Sequence, residues 1–297
     1  MRAYVIGNIT IDEMIVVDEL PSSGASILGQ VGSHDLGGKG TNQAVVMARC
    51  GVATTLVAPV GKDARADTIR HHLLTEPLVS ELIAIDGISS DMSLIFRLPG
   101  GENAIVTTTE SAQNLSYAHI MPVLRSAEPG DLAILQGNLS HQTTRETLQF
   151  AKSLGMTTAF NPSPLRPFFS DLWQFVDVVV LNRGEAQALT GTTGEAAAEY
   201  LLRQGVQDVV LTLGGDGAML VNSQGTVAVA ACAGEVVDTT GAGDTFMSAA
   251  LASSLLRGCR LDQKALEHAA QSAAITVSKV GTRAAFPNSS ELAAILQ

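Results

Sequence analysis

The sequence predicts an α/β protein with a mostly parallel central sheet, helices on both of its faces, and a small β-sheet lid beside it. Two observations carry this. Short, continuous apolar runs rich in β-branched residues alternate with helical patterns, and strands buried on both faces read in that way. Two further segments look strand-like but have no helix between them.

Taken in order, Tyr4-Val-Ile opens as a strand and Lys39 to Arg49 reads as a helix. Thr54-Thr-Leu-Val-Ala is a strand, followed by a helix around Asp63 to Leu74. Leu132-Ala-Ile-Leu, Thr157-Thr-Ala-Phe, Val176 to Leu181 and Val209-Val-Leu-Thr-Leu continue the alternation, each followed by Gly, Asn or Pro. Gly217 to Gly234 is uncharged, but Asn222, Ser223, Gln224 and Gly225 break it, so it reads as a β-hairpin and not a membrane span. Polar sets follow three strands: Gln136-Gly-Asn138, Asn161-Pro-Ser-Pro and Asn182-Arg-Gly-Glu185. Ligands of open parallel sheets bind there, beyond the carboxyl ends of the strands.

The segments outside this rhythm are residues 13–35 and 91–109, with a turn expected at Pro99-Gly-Gly-Glu-Asn103. A small sheet of this kind cannot bury both faces alone. It is expected to lie over the active site, pack against a second copy of the chain, or both. No repeat, low-complexity tract or linker divides the sequence, so residues 1–297 are read as one domain.

Composition narrows the function. The 297 residues carry 18 Lys and Arg against 29 Asp and Glu, a net charge of −11. Such a surface repels phosphate backbones, which argues against nucleic acid and anionic membranes as partners. A phosphorylated ligand must then bind at a focused site of backbone N–H groups or a metal. Aromatic residues are only 4%, too few for a carbohydrate-stacking groove. Cys50, Cys232 and Cys259 are widely spaced, which fits neither a disulfide framework nor a zinc ribbon. Asp12 and Glu13 arrive too early for a signal peptide, and a cytoplasmic location is expected.

The strongest motif is Asp238-Thr-Thr-Gly-Ala-Gly-Asp244-Thr-Phe, between a strand-like Glu235-Val-Val and a long apolar helix from Thr245 to Leu256. Gly241, Ala242 and Gly243 leave N–H groups open at the helix start, an anion hole reinforced by the helix dipole. A carboxylate at such a hole suits a general base: Asp244 could take a proton from a hydroxyl while the amides hold a transferring phosphoryl group. Gly37-Gly-Lys-Gly-Thr-Asn-Gln-Ala44 also starts a helix and lets backbone approach a small polar ligand, with Lys39 and Asn42 as donors to its hydroxyls. It is not a Walker P-loop, because Gly40 follows Lys39. Asn182-x-x-Glu185 reads either as a ligand-facing pair or as a helix cap. Thr212-Leu-Gly-Gly-Asp-Gly217 suits a nucleotide cradle or a tight turn before the hairpin.

Together these motifs resemble the ribokinase (PfkB) family of carbohydrate kinases, from Gly7-Asn-Ile-Thr-Ile-Asp12 to Gly281-Thr-Arg-Ala-Ala-Phe-Pro287, and within it the ribokinase branch. The resemblance implies ATP-dependent phosphorylation of the primary hydroxyl of a small sugar. It matches Asp244 to the catalytic base and Gly241, Ala242 and Gly243 to the anion hole. Asp12, Gly38, Lys39 and Asn42 fall on sugar-binding positions. Asn182 and Glu185 fall near the ATP phosphates and the Mg²⁺–water network, and Thr212, Gly214 and Gly217 on the nucleotide loop. Asp238, the Thr240 carbonyl and the loop of Gly281 match a monovalent-cation site, for which K⁺ is expected. The family also implies dimerisation through the lid.

Two sugar-pocket positions depart from the branch: Thr10 stands where Asn is usual, and Asn138 where a Glu is usual. Ribose itself is therefore not implied as firmly as the kinase chemistry. Rival readings are a nucleoside kinase, which would need an aromatic platform beyond Phe96, and a phosphosugar kinase, which would need cations beyond Lys39 and Arg97. A non-catalytic sugar-binding regulator would have no use for Asp244.

Overall fold

The computed structural model describes residues 1–99 and 103–297. Residues 100–102 of the turn expected at 99–103 lie outside the described residues.

The central sheet has nine strands in the order β13-β12-β11-β10-β9-β8-β1-β4-β5. Its parallel part comprises β1 (Ala3–Ile6), β4 (Thr54–Val60), β5 (Val79–Ala84), β8 (Leu132–Gln136), β9 (Thr157–Asn161), β10 (Val178–Asn182) and β11 (Asp208–Thr212). The expected hairpin, β12 (Ala218–Asn222) and β13 (Gly225–Val229), adds an antiparallel edge. Each strand alternates its side chains between two cores, as the pleat dictates. On β1, Ala3 and Val5 belong to the core that includes Val46, Met47, Leu56 and Ala250, while Tyr4 and Ile6 belong to the one that includes Leu148 and Phe160.

The first core lies under α1 (Lys39–Arg49), α8 (Ala242–Arg257) and α9 (Gln263–Val277); the second lies under α5 (His141–Ser153) and α7 (Gly194–Arg203). The chain runs from β1 to β4 on one side and later returns to β8 on the other. That reversal opens a crevice at the carboxyl ends of β1 and β8.

The lid is a separate sheet of four strands, β3-β2-β6-β7. It is built from β2 (Thr10–Val16), β3 (Gln30–Gly37), β6 (Met92–Arg97) and β7 (Asn103–Thr107). β2 pairs antiparallel with β3 but parallel with β6, so the sheet is mixed. Its first strand begins at Thr10, earlier than the expected residue 13, because β2 leaves β1 after only Gly7, Asn8 and Ile9. Thr10 and Asp12 thus stand on the lid's root.

Two expectations near the signature need correction. Glu235-Val-Val forms no strand. Val236 and Val237 are exposed, and the amides of Val237 and Asp238 donate to the Val277 carbonyl at 2.7 and 3.2 Å, not to a neighbouring strand. The helix after the signature starts at Ala242, not Thr245, so Asp244 sits inside its first turn. Among the described residues, no helix is long and apolar enough to cross a membrane. All three cysteines are free, and burial pushes the Cys50 thiol up to about 12.

Candidate active site

Asp244 is the centre of the site. It is buried, and α1 reaches it from the opposite side. Asn42 Nδ2 donates to Asp244 Oδ2 at 3.0 Å, Gln43 Nε2 donates to Asp244 Oδ1 at 2.9 Å, and Lys39 Nζ lies 3.9 Å from Oδ1. The two motifs, some 200 residues apart in sequence (|i−j| = 202 for Asn42 and Asp244), therefore converge on one carboxylate.

The backbone explains why α8 can start here. Gly241 caps it at φ 77°, in the left-handed region, and a Cβ there would lie 2.5 Å from Phe286 Cε1. No side chain caps the helix. Of the amides assigned to the anion hole, that of Ala242 makes a long bond of 3.3 Å to the Thr239 carbonyl. A Cβ at Gly243 would meet nothing within 4 Å, so a glycine there leaves open space beside the helix start.

On the lid side, a ladder of hydroxyls leads to Asp12. Thr107 Oγ1 donates to Ser93 Oγ at 3.1 Å, Ser93 Oγ to Thr10 Oγ1 at 3.4 Å, and Thr10 Oγ1 to Asp12 Oδ1 at 2.8 Å. Burial pushes the Asp12 carboxyl above the ordinary range. The Thr10 and Ser93 hydrogen bonds oppose that rise, and the charges of Asp35 and Asp244 add to it. Gly37 is required beside this carboxylate, because a Cβ there would lie 2.0 Å from Asp12 Oδ2. Ser93 and Thr107 were not singled out in the sequence; their signal was small polar residues alternating with Leu94 and Val106 in lid strands.

Asn138, just beyond β8, is buried, and its backbone carbonyl accepts from Gln113 Nε2. The side-chain oxygens of Asn42 and Asn138 are both buried without a hydrogen-bond partner among the described residues. Buried acceptors of this kind need donors.

On the other side of Asp244 lies a cleft of about 690 Å³ whose lining includes Asn182, Thr212, Gly214, Gly217 and Gly243. A smaller recess of about 70 Å³ shares Asn182, Thr212 and Gly243 with it and reaches Lys39 and Glu185. The cleft thus opens toward the Asp244 side. Asn182 and Glu185 form a capping box at the start of α6 (Arg183–Thr190): Asn182 Oδ1 accepts from the Glu185 amide at 2.8 Å, and Glu185 Oε2 accepts from the Asn182 amide at 2.9 Å. The cap reading of this pair is therefore the structural one, at the cleft wall.

Asp238, Thr240 and Gly281 also come together. Asp238 Oδ1 accepts from the Thr240 amide and hydroxyl at 2.9 and 2.6 Å, and Oδ2 from the Gly281 amide at 3.1 Å. Burial opposes ionisation, but these bonds and the Arg97 charge outweigh it and hold the Asp238 carboxyl below the usual range. A further cavity of about 460 Å³ lies at the amino ends of the strands. Its acidic groups are already paired, Asp177 with Lys152 and Asp208 with Arg260.

A carboxylate clamped at an uncapped helix start, between a glycine-lined cleft and a pocket of unpaired acceptors, suits transfer of an anionic group to a hydroxyl. Comparison with known proteins agrees: the family model described as pfkB family carbohydrate kinase matches residues 2–289. The chain belongs to that family and is a ribokinase-like sugar kinase. The ribokinase of Schizosaccharomyces pombe is 30% identical over 305 residues, covering 97% of this chain and 95% of its own. The crystal structure of ribokinase from Thermotoga maritima superposes with a TM-score of 0.90 at 26% identity over 99% of both chains. Arabidopsis thaliana ribokinase complexed with ribose and ATP has the same fold, with a TM-score of 0.88 at 23% identity over 100% of this chain and 98% of that one.

Proposed function

We propose that the protein transfers the terminal phosphoryl group of ATP to the primary hydroxyl of a small sugar, a pentose or hexose of ribose-like shape. The observation that carries this is Asp244, a buried carboxylate gripped by Asn42 and Gln43 at the start of α8. Its position suits a general base that accepts the hydroxyl proton as the sugar oxygen attacks.

Thr10, Asp12, Gly38, Asn42 and Asn138 form the sugar side. Sugar hydroxyls would donate to the orphaned Asn42 and Asn138 oxygens and to Asp12. Lys39 and the amides of Gly241, Ala242 and Gly243 face the charge on the transferring group, the term on which phosphoryl transfer chiefly depends. The nucleotide occupies the larger cleft, between Thr212, Gly214 and Gly217 and the α6 start.

Among the described residues no group of three or more acidic, His or Cys side chains could hold a metal ion. Glu185 lines the smaller recess beside Lys39 and Gly243, a single carboxylate placed to meet Mg²⁺ carried by the ATP phosphates and water. Bound there, Mg²⁺ would neutralise phosphate charge. Asp238 is ionised and has spare lone pairs on Oδ2, which fits K⁺ held with the Thr240 carbonyl and the Gly281 loop. Such an ion would stiffen the loop that carries the anion hole. Val31 and Val106 are exposed on the same face of the lid, opposite the face of Asp12, and we assign this apolar face to a homodimer contact. The cellular site that fits such a kinase is the cytoplasm.

The test is coupled ADP release across a panel of sugars, with Asp244→Asn alongside. The variant should bind sugar yet lose roughly 10²–10⁴-fold in kcat. Near-normal turnover would remove Asp244 from the role of base.

A further inference from the structure

We propose that Gln136 and Gln43 form an amide relay that sets the orientation of Asp244, which makes both of them positioning residues for phosphoryl transfer. The inference rests on the reading of Asp244 as the base. Gln136 Nε2 donates to Gln43 Oε1 at 2.7 Å, and Gln43 Nε2 donates to Asp244 Oδ1 at 2.9 Å. Both glutamines are fully buried.

The sense of this chain is not a free choice. An ionised carboxylate only accepts, so Gln43 must turn its NH₂ to Asp244. Its carbonyl then faces Gln136, which must answer with its own NH₂. Reversing either amide sets two acceptors or two donors against each other in a buried place, where an unmade bond is costly.

The relay is braced at both ends. Gln136 Oε1 rests against Gly7, where a Cβ would lie only 1.9 Å away, so the amide has a backbone wall behind it. That oxygen has no partner among the described residues, and the arrangement is kept at the cost of an unmet acceptor. At the other end, Ser248 Oγ donates to the backbone carbonyl of Gln43 at 3.1 Å and ties α1 to α8, the helix that carries Asp244. With Asn42 on Oδ2 and the relay on Oδ1, one donor fixes each oxygen, and the carboxylate plane is set. A base must be held close to its productive geometry, and a 1 Å error can cost roughly 10²-fold in rate.

Three variants test this. Gln43→Glu is nearly isosteric but puts a second carboxylate within reach of Asp244, so the pair must share a proton. Its kcat at pH 7 should fall at least about tenfold, and the acid limb of the kcat–pH profile should move up by roughly one pH unit or more. Gln136→Leu frees the Gln43 amide, and kcat should fall roughly tenfold while KM for sugar and ATP stays within about twofold. Should Gln136→Leu not fold, Gln43→Glu decides. Asp244→Asn is the control. If it is inactive while Gln43→Glu keeps the wild-type kcat and pH profile, the relay is overturned and the base stands. If Asp244→Asn itself turns over normally, the base and the relay fall together.

Discussion

Replacing Asn138 by Glu tests what the pocket selects. Asn138 is buried beyond β8, and its Oδ1 has no hydrogen-bond partner among the described residues. It presents one carbonyl acceptor and one NH₂ donor to a sugar, whereas an ionised Glu presents two charged oxygens that can accept from a pair of hydroxyls. A hydrogen bond to a charged group contributes about 1.5–3 kcal/mol, or roughly 10–150-fold in affinity. The surroundings reduce that gain. Burial and the charges of Asp35 and Asp244 already push the Asp12 carboxyl up, so this pocket resists a further negative charge. The lower end, roughly tenfold, is therefore the expected change in kcat/KM for a diol such as that of ribose. The assay is coupled ADP release with D-ribose, other pentoses and hexoses, in wild type and Asn138→Glu. Another sugar should exceed ribose in wild type, and the substitution should shift the ratio toward ribose. If wild type already uses ribose best at ordinary kinase efficiency, or the ratio does not move, Asn138 is a neutral variation.

Three other outcomes follow from the structure. Replacing K⁺ by a large organic cation at fixed ionic strength should slow turnover, and Asp238→Asn should abolish that sensitivity; equal rates in both salts would remove the cation site. Arg49 donates twice to the buried Glu76 and reaches the carbonyls of Arg283, Phe286 and Pro287, so Arg49→Met should cost about 3 kcal/mol and lower Tm by roughly 5 °C. A Tm change under about 2 °C would show that Arg283, which also reaches Glu76, suffices alone. His268 is buried against Ser253, and burial, then Lys264 and Arg257, hold its pKa below the ordinary value. The folded state thus resists a proton that the unfolded chain accepts below about pH 6.5, so stability should be level above that pH and fall as pH drops toward the folded pKa. Urea midpoints from pH 7.5 to 5.5 should show this in wild type and less of it in His268→Gln, where His72, whose pKa burial and the Arg283 charge also lower, still contributes.

The parts of this molecule that could be read from its residues are those set locally. Lys39 to Arg49 forms the helix its pattern predicts, and the Asn222–Gly225 break forms the hairpin turn. Asp244 stood out because glycines beside a carboxylate at a helix start have few other uses. Glu235-Val-Val misled because β-branched residues fit a strand only where a neighbouring strand accepts their amides, and here Val277 takes them from a helix end. Asn182 and Glu185 behave as their spacing allows, as a cap, and what the cap adds is a fixed wall beside the cleft. Gln43 and Gln136 lie inside stretches the sequence marks, Gly37 to Ala44 and Gln136-Gly-Asn138, yet neither was given a role, for a different reason. Neither is charged, and their roles depend on a contact spanning 93 residues whose sense is dictated by a third residue on another helix. The available signal was positional: Gln136 is a large polar side chain at the end of a fully buried strand, where burial demands a partner. The partner it finds leads, through one more amide, to the carboxylate that the glycine signature had already marked. The glycine signature could be marked because the type of each of its residues limits its use, whereas the Gln136–Gln43–Asp244 contacts could not, because they are set by the direction of hydrogen bonds.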